Sequence, residues 1–159
     1  MKSNPISKSE SIQTLREISS QWGIELPKTK NLMVYHITDD ALFISGDGLK
    51  ALKIGKTYVP FLTYTIILEK FPRIIVDMGA IKFVCNGANI MRPGVTKFSG
   101  EFESGKLVCI AEESKNTFLS VGKALVSSSD ARTMKKGHIL ENLHYVSDKY
   151  WDIGRQIYN

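Results

Sequence analysis

Over residues 7–22, SKSESIQTLREISSQW, apolar Ile12, Leu15, Ile18 and Trp22 recur at spacings of three and four, which predicts an amphipathic helix. Ser7 and Glu10 stand at capping-box spacing, and Gly23 supplies the stop. The period then shortens. Residues 31–37 and 41–45 are short runs rich in Val, Ile, Tyr and Phe, joined through Thr38-Asp39-Asp40, which predicts a hairpin whose second strand ends at Gly46-Asp47-Gly48. Between Tyr58 and Lys70, Pro60 at the head and apolar Phe61, Tyr64, Ile67 and Leu68 predict a second helix, closed by Pro72.

Beyond Arg73 short strands follow densely, at residues 74–76, 107–111, 117–121 and 138–146, with turns at Ser104-Gly105 and 114–116. One short helix, from Ser128 to Lys136, is stopped by Gly137. Many short strands with glycine turns and few small helices point to a partly open β-barrel. The expected class is α+β: an N-terminal α+β domain over 1–72, then a barrel domain over 73–159, rigidly apposed across Lys70-Phe71-Pro72-Arg73.

The run 77–96, DMGAIKFVCNGANIMRPGVT, carries more punctuation than a core element needs. Asp77 is placed to cap a helix of about nine residues that Asn86-Gly87 stops. Ile81, Val84, Cys85 and Ala88 fall on its inner face, and Lys82 and Asn86 on the outer one, a line that Asn89 continues.

Composition narrows the function classes. The 159 residues are 43% hydrophobic and 23% charged, an ordinary globular balance. No apolar run approaches the roughly 20 residues of a membrane span, and the polar N-terminus shows no signal-peptide core, so a soluble cytoplasmic protein is expected. The net charge of +5 favours a polyanionic partner. It is spread over both halves, nine Lys/Arg against seven Asp/Glu in 1–72 and twelve against nine in 73–159, so any basic patch must come from folding.

Catalytic motifs are weak. Cys85 and Cys109 lie among apolar neighbours as small buried thiols, and His36, His138 and His144 share no ligand spacing, so no metal is implied. Gly46-Asp47-Gly48-Leu49-Lys50-Ala51 fits GxGxxA, with Glu69 about twenty residues on, but Gly55 and Pro60 break the helix a dinucleotide site needs. A hairpin turn is the plainer reading of those glycines, and no cofactor is expected. Gly122-Lys123 lacks the rest of a phosphate loop, and Glu112-Glu113 point to opposite faces as part of a solvated turn. An enzyme is therefore not expected.

What remains is the run 77–96. Exposed turn amides, the Arg92 guanidinium and the carboxamides of Asn86 or Asn89 together suit phosphate and base-edge recognition. A barrel corner with incidental surface charge explains the same residues, and the two readings stand side by side on physical grounds alone.

Four separated motifs carry a resemblance. They are Val76-Asp77-x-Gly79-Ala80-Ile81, Gly87-Ala88-Asn89-Ile90-Met91-x-Pro93-Gly94-Val95, Val121-Gly122-Lys123-Ala124, and Glu141-Asn142-Leu143-His144-Tyr145-Val146-x-Asp148-x-x-Trp151. In this order they resemble the PUA domain, from about Arg73 to Trp151, and the whole chain is similar to the stand-alone malignant T-cell amplified sequence family. The resemblance implies a pseudo-barrel with RNA docked at its first short helix and glycine loop. The implied contacts are Lys82, Gly87, Ala88, Asn89, Met91, Arg92, Pro93, Gly94 and Lys97. It further implies a non-catalytic role in translation, with tRNA, ribosomal RNA or the small ribosomal subunit as the RNA partner, and a protein carrying an initiation-factor-like domain beside it. The alternative role is an adaptor that presents RNA to a modifying enzyme. The cysteine pattern of the family's eukaryotic N-terminal halves is absent here, so no metal site is implied.

Overall fold

The computed structural model describes residues 1–158. The first half forms β1 (Ser3–Pro5), α1 (Lys8–Trp22), β2 (Met33–Thr38), β3 (Ala41–Gly46), β4 (Leu49–Ile54), β5 (Thr57–Pro60) and the single turn α2 (Thr65–Leu68). The second half begins with β6 (Arg73–Val76), a 3-10 turn Met78–Ala80 running into α3 (Ile81–Val84), β7 (Ile90–Met91), a 3-10 turn Arg92–Gly94 and β8 (Val95–Ser99). It continues with β9 (Leu107–Glu112), β10 (Phe118–Ala124), α4 (Ser128–Thr133), β11 (His138–Tyr145) and α5 (Lys149–Tyr158).

Strands β1 to β5 make an antiparallel meander in chain order. The second sheet, ordered β7-β11-β10-β9-β6-β8, curls into a half-barrel whose one parallel pair is β6 with β9. The α+β class and the partly open barrel are as expected from the strand pattern.

Local signals set α1. The Ser7 hydroxyl accepts from Glu10 N, and Gly23, at φ 64, donates its amide to the Ser19 carbonyl. The buried face is centred on Ser11, Ile18 and Trp22, whereas Ile12 is exposed. Ser11 is buried because its hydroxyl accepts from Leu32 N at 3.1 Å, and Trp22 anchors the C-terminal turn by donating to the Tyr58 carbonyl at 2.9 Å.

The hairpin turn expected of Gly46-Asp47-Gly48 is present: Asp47 and Gly48, at φ 46 and 90, are the two central residues of a tight turn between β3 and β4, and residues 49–54 are the strand that follows. Two expectations are corrected. First, Pro60 ends a strand and does not start a helix. It sits opposite Ala51 on β5, the edge strand, where a missing N–H interrupts no ladder; only Thr65–Leu68 is helical. Second, the helix expected over 128–136 closes at Thr133, where Met134 turns extended.

Strand β9 joins the two cores. All six residues of LVCIAE are buried, and side chains alternate across a sheet. Leu107 and Cys109 pack with Ile18, Trp22, Leu68 and the meander. Val108 and Ile110 pack inside the half-barrel with Ile74, Val84, Ile90 and Leu140. Burial pushes the Cys109 thiol up to about 12, so at neutral pH it is a small apolar filler without thiolate character.

A buried His144 makes a second connection. Its Nε2 accepts from Leu62 N at 3.2 Å, so its other nitrogen, Nδ1, carries the proton toward Asp148, 2.8 Å away. Asp148 also accepts from Tyr145 N and Trp151 N, which starts α5. The imidazole stacks on Phe61 at 5.0 Å.

Glu112 departs from the solvated turn expected of it. Its carboxylate is buried and accepts from the Ser114 hydroxyl and from the amides of Ser114, Lys115 and Thr117, closing the β9–β10 turn. These bonds pull its pKa down to about 2, with the Ser114 hydroxyl the largest contributor. A carboxylate held below its usual 4.5 stabilises the fold fully above that value and less as pH falls toward 2. Thermal melts are expected to show a midpoint that falls as pH is lowered from 6 to 2 in the wild-type chain. In Glu112→Gln the midpoint should be lower at neutral pH and flatter across this window; equal slopes would show that Glu112 does not govern it.

Candidate nucleic-acid interface

The chain enters the site from β6 and is fixed at once. Asp77 donates its amide to the Gly94 carbonyl at 3.0 Å and accepts from Ala80 N on Oδ1 at 2.9 Å. Met78 N donates to Glu113 Oε1 at 3.2 Å, so both nearby carboxylates are engaged with backbone amides of this first turn. The cap at Asp77 is as expected, while the helical run splits into a 3-10 turn and the single turn α3.

At its far end Ala88 N donates to the Phe83 carbonyl and Gly87 N to the Val84 carbonyl, a Schellman pair. Glycine is required at 87 for two reasons: its φ is 91, and a Cβ would lie 3.1 Å from the Tyr145 hydroxyl. Asn142 on β11 holds the loop that follows. Its amide nitrogen Nδ2 donates to the Val84 and Ala88 carbonyls, each at 3.0 Å, and its backbone N donates to Asn89 Oδ1 at 3.0 Å. Its Oδ1 accepts from the Ser120 hydroxyl of β10 at 2.6 Å, so Nδ2 holds the loop while Oδ1 anchors the side chain to the sheet.

These turns enclose an open cleft of about 460 Å³ lined by Val76, Asp77, Gly79, Ala80, Phe83, Val84, Ala88, Asn89, Ile90, Met91, Pro93 and Gly94. Its walls are mostly apolar. Phe83 is 59% exposed, and Met78 and Met91 are each 49% exposed, a concentration of large apolar side chains in water at the cleft and its rim. The Lys82 ammonium lies 5.1 Å from the Phe83 ring centre and makes no ion pair among the described residues.

Of the residues singled out from the sequence, Ala88, Asn89, Met91, Pro93 and Gly94 line this cleft, and Lys82 and Gly87 adjoin it. Two are placed differently. Arg92 is turned inward: Nε donates to the Ala131 carbonyl at 2.9 Å, Nη1 to the Val95 carbonyl at 3.2 Å, and the guanidinium covers the Phe98 ring at 5.2 Å. Its fork fastens the Pro93-Gly94 turn to α4. Lys97 lies outside this lining, in a separate groove with Arg73, Thr96 and Asn116.

Sequence reasoning missed Phe83. An aromatic next to buried Val84 falls out of phase with the inner face of α3, and that mismatch was the available signal. It also missed Asn142, whose partners lie 53 to 58 residues away in the chain.

The PUA domain family matches residues 72–146. Translation machinery-associated protein 20 of Saccharomyces cerevisiae is 37% identical over 138 residues, which are 81% of this chain and 71% of that protein. The chain belongs to this family of PUA-domain proteins. Malignant T-cell-amplified sequence 1 of Danio rerio is 40% identical over 99 residues, covering 58% of this chain and 55% of that protein. A hypothetical protein of Pyrococcus horikoshii has the same fold along nearly the whole chain, with a TM-score of 0.80 at 22% identity, over 96% of this chain and 99% of its own. In this PUA domain the matched segment holds the whole cleft, from Val76 to Gly94, together with Asn142 that braces it.

The cleft offers an apolar floor, an exposed aromatic face and an unpaired cation beside it. It holds no acid/base pair, since Asp77 is its one titratable lining residue and serves as a cap. Among the described residues no group of three or more His, Cys, Asp or Glu could hold a metal, and no helix is long and apolar enough to cross a membrane.

Proposed function

We propose that this protein is a non-catalytic RNA-docking protein of the translation machinery. The observation that carries the proposal is the pairing of the exposed Phe83 ring with the unpaired Lys82 ammonium at the mouth of a PUA-domain cleft. An unstacked base laid on an aromatic ring contributes about 1 to 3 kcal/mol, and a neighbouring lysine meets the phosphate beside it. Asn89 Nδ2, on a carboxamide held by Asn142, and the turn carbonyls supply hydrogen-bonding groups for a base edge or a ribose hydroxyl.

Structured RNA with unpaired nucleotides is the expected ligand, such as a tRNA acceptor end or a ribosomal RNA loop. The names of the relatives support a place in translation. A cytoplasmic setting and a protein partner with an initiation-factor-like domain follow from the same reading. Arg92 acts here as a brace for the Pro93-Gly94 turn, and Lys97 contributes only if the RNA extends along β8.

Titration of isotopically labelled protein with bulk tRNA tests the position. Amide resonances of 79–83, 88–92 and Gly94 are expected to move first. Shifts confined to residues outside 77–97 would place the RNA elsewhere and overturn the assignment.

A further inference from the structure

A second cleft lies where the two sheets meet, sharing no lining residue with the first. It is about 340 Å³, and Lys56, Lys106 and Lys123 converge on it with Gln21, Thr57 and Gly105. The three lysines come from three places: the β4–β5 turn, the residue before β9, and the C-terminal end of β10. No carboxylate lines the cleft, and none of the three makes an ion pair among the described residues. The nearest acidic residues by register are Glu141, opposite Lys123 on β11, and Glu103, three residues before Lys106; neither reaches ion-pair distance.

The arrangement is held in place. Gln21 Nε2 donates to the Lys56 carbonyl at 2.8 Å, and Gln21 Oε1 accepts from Tyr58 N at 2.8 Å, which fixes the β4–β5 turn against the end of α1. Lys106 is fixed through its carbonyl, which accepts from Ala124 N at 2.8 Å, and Gly105 N donates to the Ala124 carbonyl at 2.8 Å. Lys123 is half-buried and Lys56 and Lys106 are exposed. Three cationic residues thus border one cleft that no carboxylate lines, and a polyanion is the ligand class whose charge complements it.

We propose that this cleft is a second docking point for the phosphates of the RNA held at the Phe83 cleft. The proposal rests on the RNA-docking reading above. An extended polyanion fits better than a small free anion, because the cations are spread over three chain segments around an open cleft and no buried donor closes around a single phosphate. Both halves of the chain would then grip one RNA. Lys56 of the meander joins Lys106 and Lys123 of the PUA domain as a phosphate clamp, and the Phe83 cleft reads the unstacked nucleotide.

The experiment is the salt dependence of bulk tRNA binding by the wild-type chain and by Lys56→Gln/Lys106→Gln/Lys123→Gln. Removing three phosphate contacts is expected to lower the magnitude of the log K against log salt slope by about 2, which is about 100-fold in affinity at 0.1 M salt if the lines meet at 1 M. An unchanged slope in a variant whose circular dichroism matches wild type overturns the second docking point and leaves the Phe83 cleft standing. A wild-type chain that binds no tRNA overturns both. Competition with inorganic phosphate separates the sources: saturable millimolar phosphate binding lost in the triple variant, with no change in the tRNA slope, makes this a free-anion site and contradicts the proposal.

Discussion

Gly154→Ala is expected to destabilise the protein by about 3 kcal/mol, lowering its thermal midpoint by roughly 6 to 12 °C. Helix propensity alone gives the opposite sign, because alanine is favoured over glycine in a helix interior by about 1 kcal/mol. The difference lies in what α5 rests on. A Cβ at 154 would lie 2.7 and 2.8 Å from Phe61 Cε1 and Cε2, and closer still to Cζ. Phe61 has no room to yield: it is 1% exposed and sits against Phe43, His144 and Trp151 at ring distances of 5.0, 5.0 and 6.1 Å. The helix must therefore lift, loosening the seat of Trp151 and of the Asp148 cap that also orients His144. Circular dichroism melts of Gly154→Ala decide between the two signs. The double variant Gly154→Ala/Phe61→Leu should recover part of the loss, and a single variant as stable as wild type would mean that α5 does not pack on Phe61 in this way.

Elements with local signals were legible in the sequence. Helix α1 has its cap, its stop and its apolar stripe within seventeen residues, and the hairpin of β2 and β3 is bounded by Asp39-Asp40 and Gly46. The PUA half was legible through four motifs, each tied to a turn or a strand register. What escaped depends on distant partners. Strands β4 and β5 were obscured because Gly55 and Pro60 suit loops or helix starts equally well until an edge position is known. Helix α5 is the exception: Asp148 caps it and Tyr150, Trp151 and Ile157 recur at helical spacing, local signals that were passed over, while the residue it packs on, Phe61, lies some ninety residues earlier.

The candidate site divides in the same way. Asp77 as a cap and Gly87 as a stop follow from residue chemistry. The orientation of Arg92 does not, because the carbonyl it serves belongs to Ala131, 39 residues downstream. Turn residues are generally solvated, so an arginine beside Pro93-Gly94 reads as available; here packing against α4 and Phe98 overrides that expectation. The same logic moves attention to Phe83, whose ring the sequence pattern leaves unassigned and the fold leaves in water.

Lys82→Ala/Phe83→Ala is therefore expected to weaken RNA binding more than any change at Arg92 that preserves the fold. Loss of one stacked base and one phosphate contact together corresponds to about 2 to 4 kcal/mol, roughly 30- to 1000-fold. Both side chains are exposed, so the thermal midpoint should stay within a degree or two. The central claim is that RNA docks on this cleft, and the most direct measurement is the dissociation constant of bulk tRNA for the wild-type chain and for this double variant, at one fixed salt concentration with folding verified by circular dichroism. The expected result is measurable wild-type binding and at least about a 30-fold loss in the variant. Equal affinities for the two proteins would contradict the claim.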